Sequence, residues 1–234
     1  MGFYVAYQVA RGAADRSVAH AFQNGETVLR TENGLGALFE PAVQRVVDTS
    51  TILVTLTSYT YWLSQFAVVG LALLWIYIYR YPAFLRVRDT VIVANTIGLL
   101  GYVLVPTAPP RLLPGDEFVD TMASSPLNHA TELVRLAGNP YAAMPSLHAA
   151  DALIVGVSLA LLVRPLWLKA LWLLWPCWVA FALIASGNHF WLDVAVGAAL
   201  AVVSVEITGW LERRFRGAGA VAGQPEGSPR GGCG

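Results

Sequence analysis

Two short polar stretches interrupt the apolar runs of this chain, MPSLH at residues 144–148 and GNHFWLD at residues 187–193. The first stretch opens one long apolar run, and the second opens another about forty residues later. An ionisable side chain within a membrane span costs roughly 2.5–3.5 kcal/mol on insertion scales, so such a residue is a candidate for a functional site. His148, His189 and Asp193 are therefore the residues that need an explanation first.

The composition indicates that the surrounding solvent is lipid. The chain has 234 residues, of which 56% are hydrophobic and 13% are charged, whereas soluble domains carry about 25% charged residues. The formal net charge is zero, which argues against a nucleic-acid partner. The two cysteines, Cys177 and Cys233, lie in an apolar run and near the C-terminus, and they suggest neither a disulfide framework nor a metal site.

Five apolar runs are long enough, or nearly long enough, for the roughly 20 residues that a bilayer needs. The runs are Thr49–Tyr79 (with the span itself near Trp62–Tyr79), Thr90–Val105, Ser146–Val163, Ala170–Ser186 and His189–Leu211. A barrel would show alternating apolar and polar residues, so helices are expected. The sequence predicts an all-α, polytopic transmembrane bundle of about six helices, namely these five spans and an N-terminal helical element.

The chain divides into three parts. Residues 1–50 are expected to form an interfacial or partial membrane segment, residues 51–216 the transmembrane core that carries the candidate site, and residues 217–234 a disordered tail. Within the first part, Glu32–Val47 reads as an amphipathic surface helix. Phe3–Ala10 is apolar but short, and it is either an interfacial helix or the end of a spanning helix.

Basic residues predict the orientation in the membrane. The loop 80–89, the turn 164–169 and the segment 212–216 are each net positive, and alternating spans put all three on one side, which is expected to be cytoplasmic. The connection 106–145 is net acidic and belongs outside. Arg111, the pair Ser146 and His148, and the pair His189 and Asp193 then meet at one extracytoplasmic rim.

His189 and Asp193 are four residues apart and therefore share a helix face. A carboxylate there can accept a hydrogen bond from one ring nitrogen and leave the other free to attack a substrate. The alternative is a structural His–Asp pair that ties helices together.

Ser146 and His148 stand at a helix start that follows Pro145. Unpaired backbone N–H groups at a helix N-terminus bind anions; Ser146 adds a hydroxyl donor, and His148 can protonate a leaving alkoxide. The alternative is a helix cap with an interfacial histidine. Asp151, three residues after His148, either orients that ring or packs between helices.

Arg111 follows a stiff proline-rich exit from the second span, PTAPPR at residues 106–111. Its guanidinium suits bidentate contact with a phosphate, although an interfacial arginine also meets lipid headgroups. Two histidines and an aspartate could instead bind zinc, but a nearby arginine would repel the cation. The sequence therefore predicts an anionic substrate, with neither metal nor cofactor.

Together, the arginine motif, Pro-Ser-Leu-His and His-x3-Asp resemble the type 2 phosphatidic acid phosphatase superfamily, over about Trp62–Leu211. The closest branch contains inositol phosphorylceramide synthases and related bacterial membrane proteins. The resemblance implies a six-helix core in a bacterial cell membrane, with the active site at the outer leaflet. It implies that His189 forms a phosphohistidine, that Asp193 supports it and that His148 donates the proton. The groups implied to hold the phosphoryl oxygens are Arg111, Ser146, the backbone of Leu147, and Asn188.

Three positions depart from the superfamily pattern. Leu104 stands where the family has lysine, Leu183 where it has arginine, and Leu147 where it usually has glycine. With fewer cations, the charge of a transferring phosphoryl group is less well stabilised. Arg135 is a candidate substitute for the missing cations.

The polar motifs and the resemblance that they carry together predict a membrane-bound lipid-phosphate phosphatase or phosphotransferase. Its expected substrate is a phospholipid or an isoprenoid (polyprenyl) phosphate, and its acceptor is water or a polar alcohol such as inositol. The alternative is a non-catalytic membrane protein that binds or transports lipid through the same polar pocket.

Overall fold

The computed structural model describes residues 18–115, 117–125 and 140–222. Over these residues the secondary structure is helical apart from the connecting segments and one isolated bridge between Thr107 and Ala142. The predicted all-α class is confirmed. The N-terminal element predicted at Phe3–Ala10 and most of the predicted C-terminal tail lie outside the described residues.

Two short helices form the N-terminal part of the described chain, α1 (Val18–Gly34) and α2 (Glu40–Asp48). The prediction of one surface helix over Glu32–Val47 was therefore wrong. The chain turns at Gly36, whose φ of 64° lies in the left-handed region that favours glycine. This turn separates the two helices and lets both of them fold over the same end of the bundle.

Part of the polar surface of these two helices faces protein and not solvent. Glu32, Glu40 and Gln44 are almost completely buried, and Oε1 of Gln44 accepts a hydrogen bond from the backbone N–H of Val119 at 3.1 Å. Buried polar groups are retained where they have hydrogen-bond partners. The amphipathic pattern therefore predicted helix correctly, but part of its polar side faces protein.

The first long helix, α3, runs over Thr51–Tyr79. It begins at Ser50, whose side chain accepts a hydrogen bond from the N–H of Leu53 at 3.4 Å, as expected of an N-cap. A π-helical segment at Ser64–Val68 interrupts the α-helical pattern without ending the helix. The part of this run that precedes the predicted span near Trp62–Tyr79 is therefore continuous with it in one helix.

The second long helix, α4 (Tyr81–Leu104), starts nine residues earlier than the predicted span. The loop expected at residues 80–89 is wrong, because only Arg80 separates α3 from α4. Pro82 stands in the first turn of α4, where its fixed φ favours a helix start. The arginines of this segment consequently lie on the first turns of a helix.

Three further helices complete the bundle, α5 (Leu147–Leu162), α6 (Leu166–Ala185) and α7 (Trp191–Ala222). By length and composition, α3, α4, α6 and α7 are each able to cross a membrane, whereas α5 is a shorter apolar helix of 16 residues. Four of the five predicted spans thus have spanning length. Helix α7 also includes the first residues of the segment predicted to be a disordered tail.

Helix α5 occupies the centre of the bundle and contacts α3, α4, α6 and α7. Its Asp151 accepts hydrogen bonds from Asn95 of α4, at 3.0 and 3.1 Å, and from Gln65 of α3, at 3.2 Å. These contacts favour the helix-packing interpretation of Asp151 over an interaction that orients His148. A buried carboxylate satisfied from two helices fixes their register against α5.

The basic segments meet at one end of the bundle. The guanidinium groups of Arg86 on α4 and Arg213 on α7 both lie close to Gly209. The loop that carries Arg111, the start of α5 and the start of α7 lie at the opposite end, beneath α1 and α2. The structure therefore separates the basic end from the predicted site.

Candidate active site

His189 lies in the short segment between α6 and α7 and is 3% exposed. Its Nδ1 is 2.9 Å from the backbone carbonyl oxygen of Ala143. Because a carbonyl oxygen can only accept, Nδ1 carries the proton in this contact, and Nε2 keeps its lone pair. Nε2 faces the hydroxyl of Ser146 at 3.5 Å. The ring is thus held in the tautomer that a nucleophilic Nε2 requires.

Asp193 stands in the first turn of α7 and is fully buried. Its Oδ2 accepts a hydrogen bond from the N–H of Phe190 at 2.9 Å and lies 3.6 Å from Nδ1 of His189. The sequence predicts that this carboxylate accepts the ring proton, but the carbonyl of Ala143 is the nearer acceptor. Asp193 therefore caps its own helix and places a negative charge beside the ring.

The start of α5 contacts the start of α7 directly. Ser146 is the N-cap residue of α5, and its hydroxyl accepts from the N–H of Ala149 at 3.3 Å. The N–H of Ser146 donates to the carbonyl oxygen of Asp193 at 3.1 Å. The N-terminus of a helix carries a partial positive charge and unpaired N–H groups, so His189 faces an anion-binding helix end.

Gly197 on α7 permits this close approach. A Cβ at position 197 would collide with the backbone carbonyl of Ser146. We expect Gly197→Ala to lower kcat/KM by about 10²-fold or more, because a misplacement of about 1 Å at a catalytic site has that effect. Gly70→Ala on α3 is the matched control, since its Cβ would meet open space. Equal activity in the two variants, measured on protein of equal monodispersity, would contradict the contact.

His148 lies beside His189 on the first turn of α5, with their ring centroids 5.9 Å apart. The ring of Tyr61 on α3 stacks on the His148 ring, with a centroid distance of 4.5 Å and an interplanar angle of 21°. Sequence reasoning missed Tyr61, because nothing local to that residue signals a partner 87 positions away. The stack fixes the plane of His148 and directs its edge toward the site.

Arg111 reaches the same end from the short 3₁₀ turn at Pro110–Leu112. Its Nε donates to Oδ1 of Asn188 at 2.9 Å, and its backbone N–H donates to the carbonyl of Gly187 at 3.0 Å. Burial lowers the pKa of the Arg111 guanidinium from its ordinary value, yet an arginine side chain stays charged. The terminal nitrogens thus remain available to an anion while Nε holds the side chain in place.

Asn188 contacts Arg111 and its own neighbours. Its Nδ2 donates to Oγ of Ser186 at 2.9 Å and contacts Sδ of Met122 at 3.0 Å. Gly187, just before it, has a φ of 69°, a conformation that favours glycine. The amide of Asn188 is therefore engaged on both sides, and it supports Arg111 where the sequence suggested a direct phosphate contact.

Leu104 and Leu183, two of the three positions that depart from the superfamily pattern, lie in apolar environments. Leu104, at the end of α4, is 76% exposed on the outside of the bundle. Leu183 is fully buried and packs with Ala149, Ala152 and Val179. Arg135 lies outside the described residues. In the part of the chain that the structure describes, no cluster of three or more His, Cys, Asp or Glu side chains could hold a metal ion.

The geometry places His148, His189, Asp193 and Arg111 at one end of a helical bundle, and the sequence profile of the PAP2 superfamily matches residues 26–207. The chain belongs to the PAP2 superfamily. The match begins within α1 and ends within α7, so the PAP2 region includes the second half of α1 and all of α2. Membership of the PAP2 superfamily and four helices of spanning length together identify the chain as an integral membrane lipid phosphatase of that superfamily.

Among solved structures, the PAP2 fold of this chain is similar to the crystal structure of LpxE from Aquifex aeolicus. The TM-score is 0.52 at 19% sequence identity, over 71% of this chain and 92% of LpxE. At that identity the likeness establishes the fold. No curated protein matches the sequence.

Proposed function

We propose that this protein cleaves a lipid phosphate ester by double displacement, through a phosphohistidine on His189. The observation that carries the proposal is the pairing of Nδ1 of His189 with the carbonyl of Ala143 at 2.9 Å. This contact assigns the proton to Nδ1 and leaves Nε2 as the nucleophile, at the N-terminus of α5.

In the first step, the lone pair of Nε2 attacks the phosphorus atom, and the bond from phosphorus to the lipid oxygen breaks. His148, in its protonated form, gives its proton to the leaving oxygen, so that the lipid departs as an alcohol. A substrate phosphate beside His148 favours that protonated form, because an opposite charge stabilises it. The N–H groups at the start of α5, the hydroxyl of Ser146 and the guanidinium of Arg111 hold the phosphoryl oxygens.

In the second step, a water molecule attacks the phosphohistidine, and the electron pair of the P–N bond returns to Nε2. His148, now neutral, takes the proton from that water and is ready for the next cycle. Between the steps the phosphorylated ring is cationic, since Nδ1 keeps its proton. Oδ2 of Asp193, at 3.6 Å from Nδ1, stabilises this charge, and this is the role that we assign to the carboxylate.

We further propose that the substrate is a phospholipid or an isoprenoid phosphate that enters from the extracytoplasmic leaflet. The basic end of the bundle, with Arg86 and Arg213, supports this orientation, because basic residues favour the cytoplasmic side. The site lies at the other end. If a polar alcohol such as inositol attacked the same intermediate in place of water, the phosphoryl group would pass to that alcohol. The protein would then be a phosphotransferase, as in the branch that the motifs resemble.

Purified protein tests these alternatives directly. We expect release of inorganic phosphate from short-chain phosphatidic acid or from an isoprenoid phosphate. Inositol phosphate formed in the presence of inositol would assign the transferase activity, and its absence would assign hydrolysis. Binding of the lipid phosphate without any product would overturn the proposed chemistry in favour of a lipid-binding or transport protein.

The proposed mechanism needs no metal ion, because His189 supplies the nucleophile, His148 protonates the leaving group, and Arg111 with the start of α5 holds the phosphoryl oxygens. We expect full activity after dialysis against a strong chelator, with the same kcat as untreated protein. The measurement is phosphate release before and after chelation, followed by addition of zinc or magnesium. A loss that either metal restores would instead support the zinc-ligand interpretation of His148, His189 and Asp193.

A further inference from the structure

Two buried carboxylates from the N-terminal helices contact the start of α7. Oε1 of Glu40 accepts from the N–H of Trp191 at 2.9 Å, and Oε1 of Glu32 accepts from the N–H of Leu192 at 2.9 Å. Both glutamates have no exposed surface. The first N–H groups of a helix have no partner within it, and negative groups are stabilising there. The two helices thus cap the helix that carries Asp193.

The two carboxyl groups also face each other. Oε1 of Glu40 accepts from the N–H of Trp191 and its Oε2 accepts from the N–H of Phe39 at 3.0 Å, so both oxygens of Glu40 are occupied as acceptors. Oε2 of Glu32 accepts no hydrogen bond from the described residues. An oxygen that no donor reaches, beside a carboxyl group whose oxygens already accept hydrogen bonds, is the oxygen that can carry a proton and donate it.

Burial has the same consequence for the charge of the pair. It raises the pKa of Glu32 to about 8; the N–H of Leu192 opposes the shift, while Glu40 and Asp193 add to it. Among the described residues, Glu40 from α2 and Asp193 from α7 are the charged groups that face Glu32. Two carboxylates that share a buried site cannot both ionise at low cost, so at neutral pH the pair holds one proton.

We propose that Glu32 and Glu40 form a proton-sharing carboxyl pair that positions the start of α7, and with it His189 and Asp193, for catalysis. The proposal rests on the function proposed above and assigns both glutamates as positioning residues of that site. Loss of the shared proton puts a second negative charge between α1, α2 and Asp193. The repulsion loosens the cap, and the nucleophile loses its alignment.

The test is the pH dependence of kcat in three variants. We expect kcat of the unsubstituted protein to fall as the pH rises through about 8. Glu32→Gln keeps an oxygen for the N–H of Leu192 and an N–H for Glu40 but cannot lose a proton, so the decline near pH 8 should be lost. Any decline that remains in this variant reports loss of the proton that His148 donates. Glu32→Ala should lower kcat at every pH and change KM less. Glu26→Gln, on the exposed face of the same helix, is the control and should keep the full decline.

Infrared spectroscopy gives a readout that does not depend on turnover. The unsubstituted protein should lose a protonated-carboxyl C=O band as the pH rises through about 8, and Glu32→Gln should lack that band. Its persistence in Glu32→Gln, together with an unchanged alkaline decline, would overturn the carboxyl pair. Absence of activity toward every lipid phosphate, with the band present and titrating, would overturn the proposed function and leave the pair intact.

Discussion

Replacement of His189 by alanine is expected to reduce kcat for a short-chain phosphatidic acid at least about 10⁴-fold, because removal of the nucleophile of a covalent mechanism has effects of this order or larger. The reduction should appear in kcat and in kcat/KM alike, since the substrate phosphate is held by other groups. The measurement is phosphate release by purified protein, with lipid binding measured in parallel.

His20→Ala is the matched control for this substitution. His20 lies on α1 and is exposed, so its loss should leave kcat unchanged. An active His189→Ala variant, at more than about a tenth of normal kcat, would exclude a phosphohistidine at this position. A variant that fails to bind lipid phosphate would instead assign His189 to binding.

Replacement of Arg111 by lysine is expected to lower kcat about 10²–10³-fold, the effect of removing one preorganised donor from a developing charge. Lysine keeps the positive charge but loses both the planar fork and the Nε–H that donates to Asn188. The matched control is Arg45→Lys, because Arg45 lies exposed on α2. A lysine variant with normal kcat would show that charge alone is sufficient at this position.

The role assigned to Asn188 makes this prediction sharper. If Asn188 acts by holding Arg111, then Asn188→Ala lowers kcat too, and the double variant is little worse than Arg111→Lys alone. Residues that act through one contact are non-additive in such a cycle. Fully additive effects on kcat would return Asn188 to the direct phosphate contact that the sequence suggested.

The candidate catalytic residues could be predicted from the sequence because each signal is local. Ser146 and His148 follow a proline at a helix start, and His189 and Asp193 are four residues apart. The predicted helix that both were expected to share begins only at Trp191, so His189 precedes it. The hydrophobic runs then predicted the order of the helices, and the distribution of basic residues predicted that the motifs lie at one end of the bundle. The boundaries were less accurate: α4 begins within the predicted loop, since Pro82 starts a helix as readily as it ends one.

The surroundings of the site could not be predicted, because their partners are distant in sequence. Glu32 and Glu40 bind backbone N–H groups 160 and 151 residues away, and an amphipathic pattern alone cannot distinguish a polar face that meets water from one that meets a helix N-terminus. Tyr61 and the amide of Asn188 are similar cases. Nothing in the neighbouring sequence distinguishes either residue, and the contacts that suggest its role form only when the helices pack together.

The central claim is that Nε2 of His189 becomes phosphorylated during turnover. The most direct measurement is trapping of that intermediate: the protein is mixed with a labelled aryl phosphate, whose leaving group needs no proton, and is quenched in base, which preserves the P–N bond. The His148→Ala variant should accumulate the label, because it lacks the base for the second step, and mass spectrometry should place the phosphoryl group on His189. If the unsubstituted protein turns over the aryl phosphate but the His148→Ala variant carries no label on His189, or carries it on another residue, the account is contradicted.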